Sequence, residues 1–97
     1  MFERRVDDFL TKWGIAHQVE PVYPYHPTLN AHAMRADWRL DDGTHVEAWG
    51  LMGAEAYNEK RLKKKELARV RGIRLVGLVP EDLPNLTTVF SEWIQRH

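Results

Sequence analysis

A chain of 97 residues, 43% hydrophobic and 29% charged, has the composition of one globular domain over residues 1–97 and excludes a disordered or fibrous polymer. Fourteen basic and fourteen acidic side chains cancel, so no bulk positive field points to nucleic acid, and the lack of cysteine removes disulfide scaffolds, thiol nucleophiles and thiolate zinc sites. No apolar run approaches the ~18 residues of a membrane span and no apolar stretch follows the opening charges, so a cytoplasmic, intracellular protein without a membrane partner is expected.

Phe2, Val6, Phe9, Leu10 and Trp13 recur at helical spacing, and Gly14 stops that helix. Residues 16–25 read as a strand, but Pro21 and Pro24 confine it to an edge. Residues 26–31 read as loop. Met34 to Leu40 and Thr44 to Gly50 are strands flanking Asp41-Asp42-Gly43, a hairpin signal. Gly50 to Gly53 links into a long helix, about Ala54 to Arg71, closed by Gly72. Ile73 to Val79 is apolar on both parities, as in a strand buried on both faces, and Pro80 ends it. Asn85 is placed to cap a last helix with Leu86, Val89, Phe90, Trp93 and Ile94 on one stripe. The expected fold class is α/β, a mixed four-stranded sheet in α-β-β-β-α-β-α order.

The hairpin register decides whether its acidic residues meet. A two-residue Asp42-Gly43 turn puts Asp37 opposite Ala48. A three-residue Asp41-Asp42-Gly43 loop, with Gly43 left-handed, pairs Trp38 with Val46 and Asp37 with Glu47. Alternation favours the second register, because it gathers Ala36, Trp38, Leu40, Val46 and Ala48 on one apolar face and leaves Asp37, Arg39, His45 and Glu47 on the other. Two carboxylates facing each other repel unless a cation lies between them, and hard ions such as Mg²⁺ take carboxylate oxygens. The competing reading is that both are solvated positions on an exposed sheet face.

The next helix bears on that choice. The second half of the chain is the basic half, with eight cations between Lys60 and Arg74 against Glu66 alone. At 100° per residue Tyr57, Lys60, Lys64, Leu67, Ala68 and Arg71 share one sector, so cations lie on the stripe that carries Leu67, whereas Lys63, Lys65 and Arg69 read as solubilising surface. His17, His26, His32 and His45 show no metal-ligand spacing, and Gly50-x-x-Gly53 lacks the Gly-Lys-Ser/Thr of a phosphate loop. Glu3 reads equally as an ordinary first-turn acid or as an acid belonging to the site, and Glu20 is a carboxylate on a strand edge that could reach behind the carboxylate pair.

Arg35-Ala36-Asp37-Trp38, Val46-Glu47-Ala48-Trp49-Gly50, Gly53 with Tyr57-Asn58-Glu59-Lys60, and Gly72-Ile73 leading to Pro80-Glu81-Asp82-Leu83 together resemble the PD-(D/E)XK nuclease superfamily over nearly the whole chain. The resemblance implies a restriction-endonuclease-like core with the acidic pair on its second and third strands. The lysine usual two residues after the Glu is replaced by Trp49, and branches that move it onto the following helix match Lys60, then Lys64.

That resemblance implies a metal-dependent nuclease hydrolysing DNA phosphodiester bonds, directed by backbone and shape. Asp37, Glu47 and Lys60 would be catalytic, and Asp37, Glu47 and the Ala48 carbonyl would hold Mg²⁺, with Mn²⁺ substituting. Arg35, Tyr57 and Lys64 would meet the nucleic acid. A homodimer or a place in a larger nucleic-acid-processing assembly would suit so small a core. The alternative is a catalytically inactive nuclease-like fold that binds nucleic acid or protein, for which Trp49 speaks.

Overall fold

The computed structural model describes residues 2–49 and 55–94, and the side chains of 55–57 lie outside that description. Helix α1 (Phe2–Lys12) carries Glu3 in its first turn and Lys12 in its last, each complementing the helix dipole. Gly14 takes φ 66°, closing the helix as Ile15 N–H donates to Leu10 O at 2.9 Å. The helix therefore ends before Trp13, which leaves the apolar stripe, is 40% exposed and leans on Phe9.

Strands β1 (His17–Val19), β2 (Trp38–Leu40), β3 (His45–Ala48) and β4 (Leu75–Leu78) form one sheet in the order β1-β2-β3-β4. The first three run antiparallel; β4 is parallel to β3, reached through helix α2 (Glu55–Arg71). A 3₁₀ turn (Pro80–Asn85) follows, then α3 (Leu86–Val89) and α4 (Ser91–Ile94). This is a mixed α/β fold with a four-stranded mixed sheet. The Gly50 to Gly53 link lies outside the described residues.

Two apolar clusters lie on opposite sides of the sheet. Trp38, Leu40, Val46, Ala48 and Leu78 pack with Val6 and Leu10 of α1 and with Leu86, Phe90 and Trp93 near the C-terminus. Asp7 pins α1 to the sheet, accepting from Trp38 Nε1 at 3.0 Å and lying 3.2 Å from His17 Nε2. On the other side Leu67 of α2 packs with Tyr23 and Ala36, flanked by Leu29 and Met34. Ala36 thus leaves the face of Trp38. The strand pairing is interrupted between them, where Asp37 faces Glu20 at φ 52°, although Val22↔Arg35 keeps the register.

Two further expectations are corrected. The β4 segment is not buried on both faces: among the described residues it is an edge strand paired with β3 alone, Leu78 is its one buried residue, and Gly77 is exposed. The last helix is broken at Phe90, and Asn85 makes no side-chain capping bond. Leu86, Phe90 and Trp93 still bury as one stripe, because Trp93 Nε1 donates to Asp42 Oδ2 at 3.0 Å and anchors the segment to the hairpin loop.

Gly77 serves packing. A Cβ built there would lie 2.0 Å from Nε1 of the buried Trp49 indole. Gly77→Ala forces that ring to move, and overpacking of this kind costs about 1–3 kcal/mol. A lowered urea midpoint with unchanged m-value is the expected result.

Candidate active site

Leu40 N–H donates to Thr44 O at 2.8 Å and Gly43 N–H to Leu40 O at 3.0 Å, with Gly43 at φ 91°. Trp38 pairs with Val46 and Arg39 with His45. The hairpin loop therefore has three residues, and the same register sets Asp37 opposite Glu47. The two are joined at the backbone too, since Ala48 N–H donates to Asp37 Oδ2 at 2.7 Å.

The polar face of the hairpin is covered. Glu47 is 2% exposed beneath α2, beside the equally buried Tyr23. Tyr23 OH donates to Glu47 Oε2 at 2.7 Å, and Lys64 Nζ lies 3.0 Å from Oε2 and 3.2 Å from Oε1. Burial pushes the Glu47 carboxyl above its ordinary range, and the Tyr23 bond and the Lys64 charge recover only part of that penalty. The same burial, with Glu47 as neighbour, raises the Tyr23 phenol. Tyr23→Phe should remove a hydrogen bond to a charged acceptor, about 1.5–3 kcal/mol of stability by urea unfolding.

A cavity of about 180 Å³ opens beside this pair, lined by Glu3, Asp37, Glu47, Ala48, Trp49, Lys60, Arg61 and Lys64. Glu3 reaches in from α1. Partial burial, then the charge of Asp37 and a hydrogen bond with it, raise the Glu3 carboxyl. Carboxylates of α1, of the residue just before β2 and of β3 thus border one hollow.

A hard divalent ion of the Mg²⁺ type takes one or two carboxylates and completes its shell with water and phosphate, and the carboxylates lining this cavity are of that donor type. Among the described residues no group of three or more histidine, aspartate or glutamate side chains forms a ready-made metal cage.

The lysines are arranged differently from the expectation. Lys60 is exposed at the rim of the cavity, whereas Lys64 is buried against Glu47, with Nζ 5.8 Å from the Trp49 ring centre and 5.7 Å from that of Tyr23. Lys64, expected to touch nucleic acid, is thus an internal partner of Glu47. Trp49 fills the notch over Gly77 and carries Arg61 on its ring at 5.3 Å. Arg35 is exposed and donates to Glu20 O at 3.1 Å, outside the residues lining the cavity. The Tyr57 side chain lies outside the described residues.

Sequence reasoning missed Tyr23. Its neighbours Pro21, Pro24 and the exposed Tyr25 hide its inward direction, and only the packing of this segment against α2 reveals it. It also passed over His45, which is buried with Nδ1 unpartnered among the described residues and meets the Tyr23 ring edge-on at 4.5 Å.

Burial foremost, then Arg39 and Lys64, lower the His45 imidazole from its ordinary 6.5. A depressed folded value means that the unfolded chain takes up the proton first, so His45 costs stability as pH falls below 6.5 and nothing well above it. Urea unfolding should show wild type losing stability relative to His45→Gln between pH 7 and 5. One proton limits that slope to about 1.4 kcal/mol per pH unit.

Comparison with protein-family models, with characterised proteins and with solved structures returns no match for this chain. Among the described residues no helix is long and apolar enough to cross a membrane.

Proposed function

We propose that this chain is a metal-dependent nuclease of restriction-endonuclease-like core that hydrolyses DNA phosphodiester bonds. The observation that carries the reading is the in-register pair Asp37 and Glu47 at a cavity that also holds a lysine, Lys64, 3.0 Å from Glu47. Asp37, Glu47 and the Ala48 carbonyl would hold Mg²⁺ or Mn²⁺. Bound there, the ion would lower the pKa of water and offset charge on the scissile phosphate.

The chain's own groups divide the remaining work. Tyr23 and Lys64 fix the Glu47 carboxylate, so its direction toward the cavity is set before substrate arrives. Lys64 supplies a preorganised positive charge for the oxygens that gain charge as the P–O bond breaks, taking the role expected of Lys60. Lys60 and Arg61, at the cavity wall, meet phosphates beside the cut. Homodimerisation or incorporation in a larger assembly would add the reach a small core lacks.

Two observations favour a second reading, an inactive nuclease-like module binding nucleic acid or protein. Glu47 is already satisfied by Tyr23 and Lys64, and Trp49 stands in the usual lysine position.

Incubation with supercoiled plasmid separates the two. The nuclease nicks it in Mg²⁺ or Mn²⁺ and not in EDTA. Intact plasmid in both metals, with retained DNA binding, overturns the enzymatic reading.

A further inference from the structure

A second hollow, about 410 Å³, lies between residues 27–34 and the α2 flank, lined by Leu29 and Met34 within and by His32, Glu59, Lys60 and Lys63 among its polar groups. Its size falls in the range of small-ligand sites. Lys60 lines both this hollow and the carboxylate cavity, so the two meet at one side chain. Lys63, read from the sequence as solubilising surface, belongs to it as well.

The wall opposite α2 is a stapled turn. Asn30 is 2% exposed; its Nδ2 donates to Tyr23 O at 3.1 Å and to Pro24 O at 2.8 Å, and its Oδ1 accepts from Met34 N–H at 2.6 Å. His26 Nδ1 accepts from Leu29 N–H at 3.0 Å and from Thr28 N–H at 3.2 Å. Arg71 of α2 donates to Tyr25 O at 2.9 Å, fastening the same segment to the helix. Ala33 is held at φ 57°, a left-handed conformation costly to a residue with a Cβ. So many backbone groups tied by side chains, the buried Asn30 foremost, make a fixed concavity.

Chemistry selects the occupant. The floor of Leu29 and Met34, both partly buried, suits the flat apolar face of a base. Two lysines against one glutamate leave the rim cationic, which suits the phosphates on either side of that base. A paired base cannot leave its stack to enter without the cost of unpairing.

We propose that this hollow holds one unpaired nucleotide, its base on Leu29 and Met34 and its phosphates at Lys60 and Lys63. The preferred substrate class is then DNA with a single-stranded segment beside the cut. The inference rests on the proposed nuclease reading only for the cut itself, which locates the strand next to the carboxylate cavity.

The test measures anisotropy of two fluorescein-labelled duplexes in Ca²⁺ with the full chain. One duplex is blunt and the other carries an oligo-dT tail. Wild type is expected to bind the tailed duplex at least ~10-fold more tightly. The double variant His32→Ala/Lys63→Ala, both exposed positions, should abolish that preference by weakening tailed binding alone. Lys65→Ala, in the separate hollow beside β4, should leave the preference intact. Equal binding of both duplexes by wild type, equal loss on both in the double variant, or no binding to either overturns the proposal. Cutting is scored separately. Nicking in Mg²⁺ without tail preference ends the nucleotide site and leaves the nuclease reading, whereas tail preference in a chain that never cuts does the reverse.

Discussion

Lys64→Met should slow plasmid nicking by about 10²–10³, the usual loss when one preorganised donor to a developing oxyanion is removed. It should also destabilise the fold, because Glu47 at 2% exposure is left without its cation. Breaking a buried pair from one side costs roughly 3–5 kcal/mol. Tyr23, still bonded to Oε2, places the expected loss near the lower end. The two losses are separable. Adding Glu47→Gln to Lys64→Met removes the stranded charge and should return much of the stability, as a double-mutant cycle in urea would record, while nicking stays lost. Lys60→Ala, at the exposed rim, should fold normally. If Lys60→Ala is inactive while Lys64→Met cuts at the wild-type rate, the catalytic charge belongs to Lys60 and Lys64 is structural.

Asp37→Asn carries the largest expected effect on activity. The retained carbonyl oxygen of Asn can still accept from Ala48 N–H, so the hairpin keeps its cross-strand tie. The negative charge that would hold the metal is gone. Metal ions contribute several kcal/mol of transition-state stabilisation, so cleavage should fall by about 10³ or more. Stability should move the other way. Burial first and then repulsion from Asp37 raise the Glu3 carboxyl, and neutralising Asp37 relieves the pair by roughly 0.2–1 kcal/mol, the scale of exposed charges. A variant that cuts as wild type, or that loses stability and activity together, argues against a functional carboxylate pair.

The sequence made some of this legible because local chemistry set it. Asp41-Asp42-Gly43 has a glycine where a left-handed residue is needed, and alternation in the two strands permits one register, so the facing of Asp37 and Glu47 follows. Periodicity marked α1 and the Leu86, Phe90, Trp93 stripe for the same reason. Tertiary choices were hidden. Whether the polar hairpin face is solvated or covered depends on where α2 lies, and helical spacing put Lys60 and Lys64 on the same sector. Only the packing distinguishes them, Lys64 at 8% exposure and Lys60 at the rim. The apolar run of β4 also misled. Gly77 interrupts it for the sake of Trp49, and an edge position leaves Leu75 and Val76 only partly buried.

The indole of Trp49 lodged over Gly77 makes two distant positions a single inheritable unit. Its edge closes the notch that position 77 leaves open, and its face lies 5.8 Å from the ammonium of Lys64. A lysine at 49 would empty the notch and bring a second ammonium toward the first, while a side chain at 77 would evict the ring. A side chain at 77 therefore obliges a smaller residue at 49, whereas Lys64 stays tied to the buried Glu47 whichever of those pairs is present.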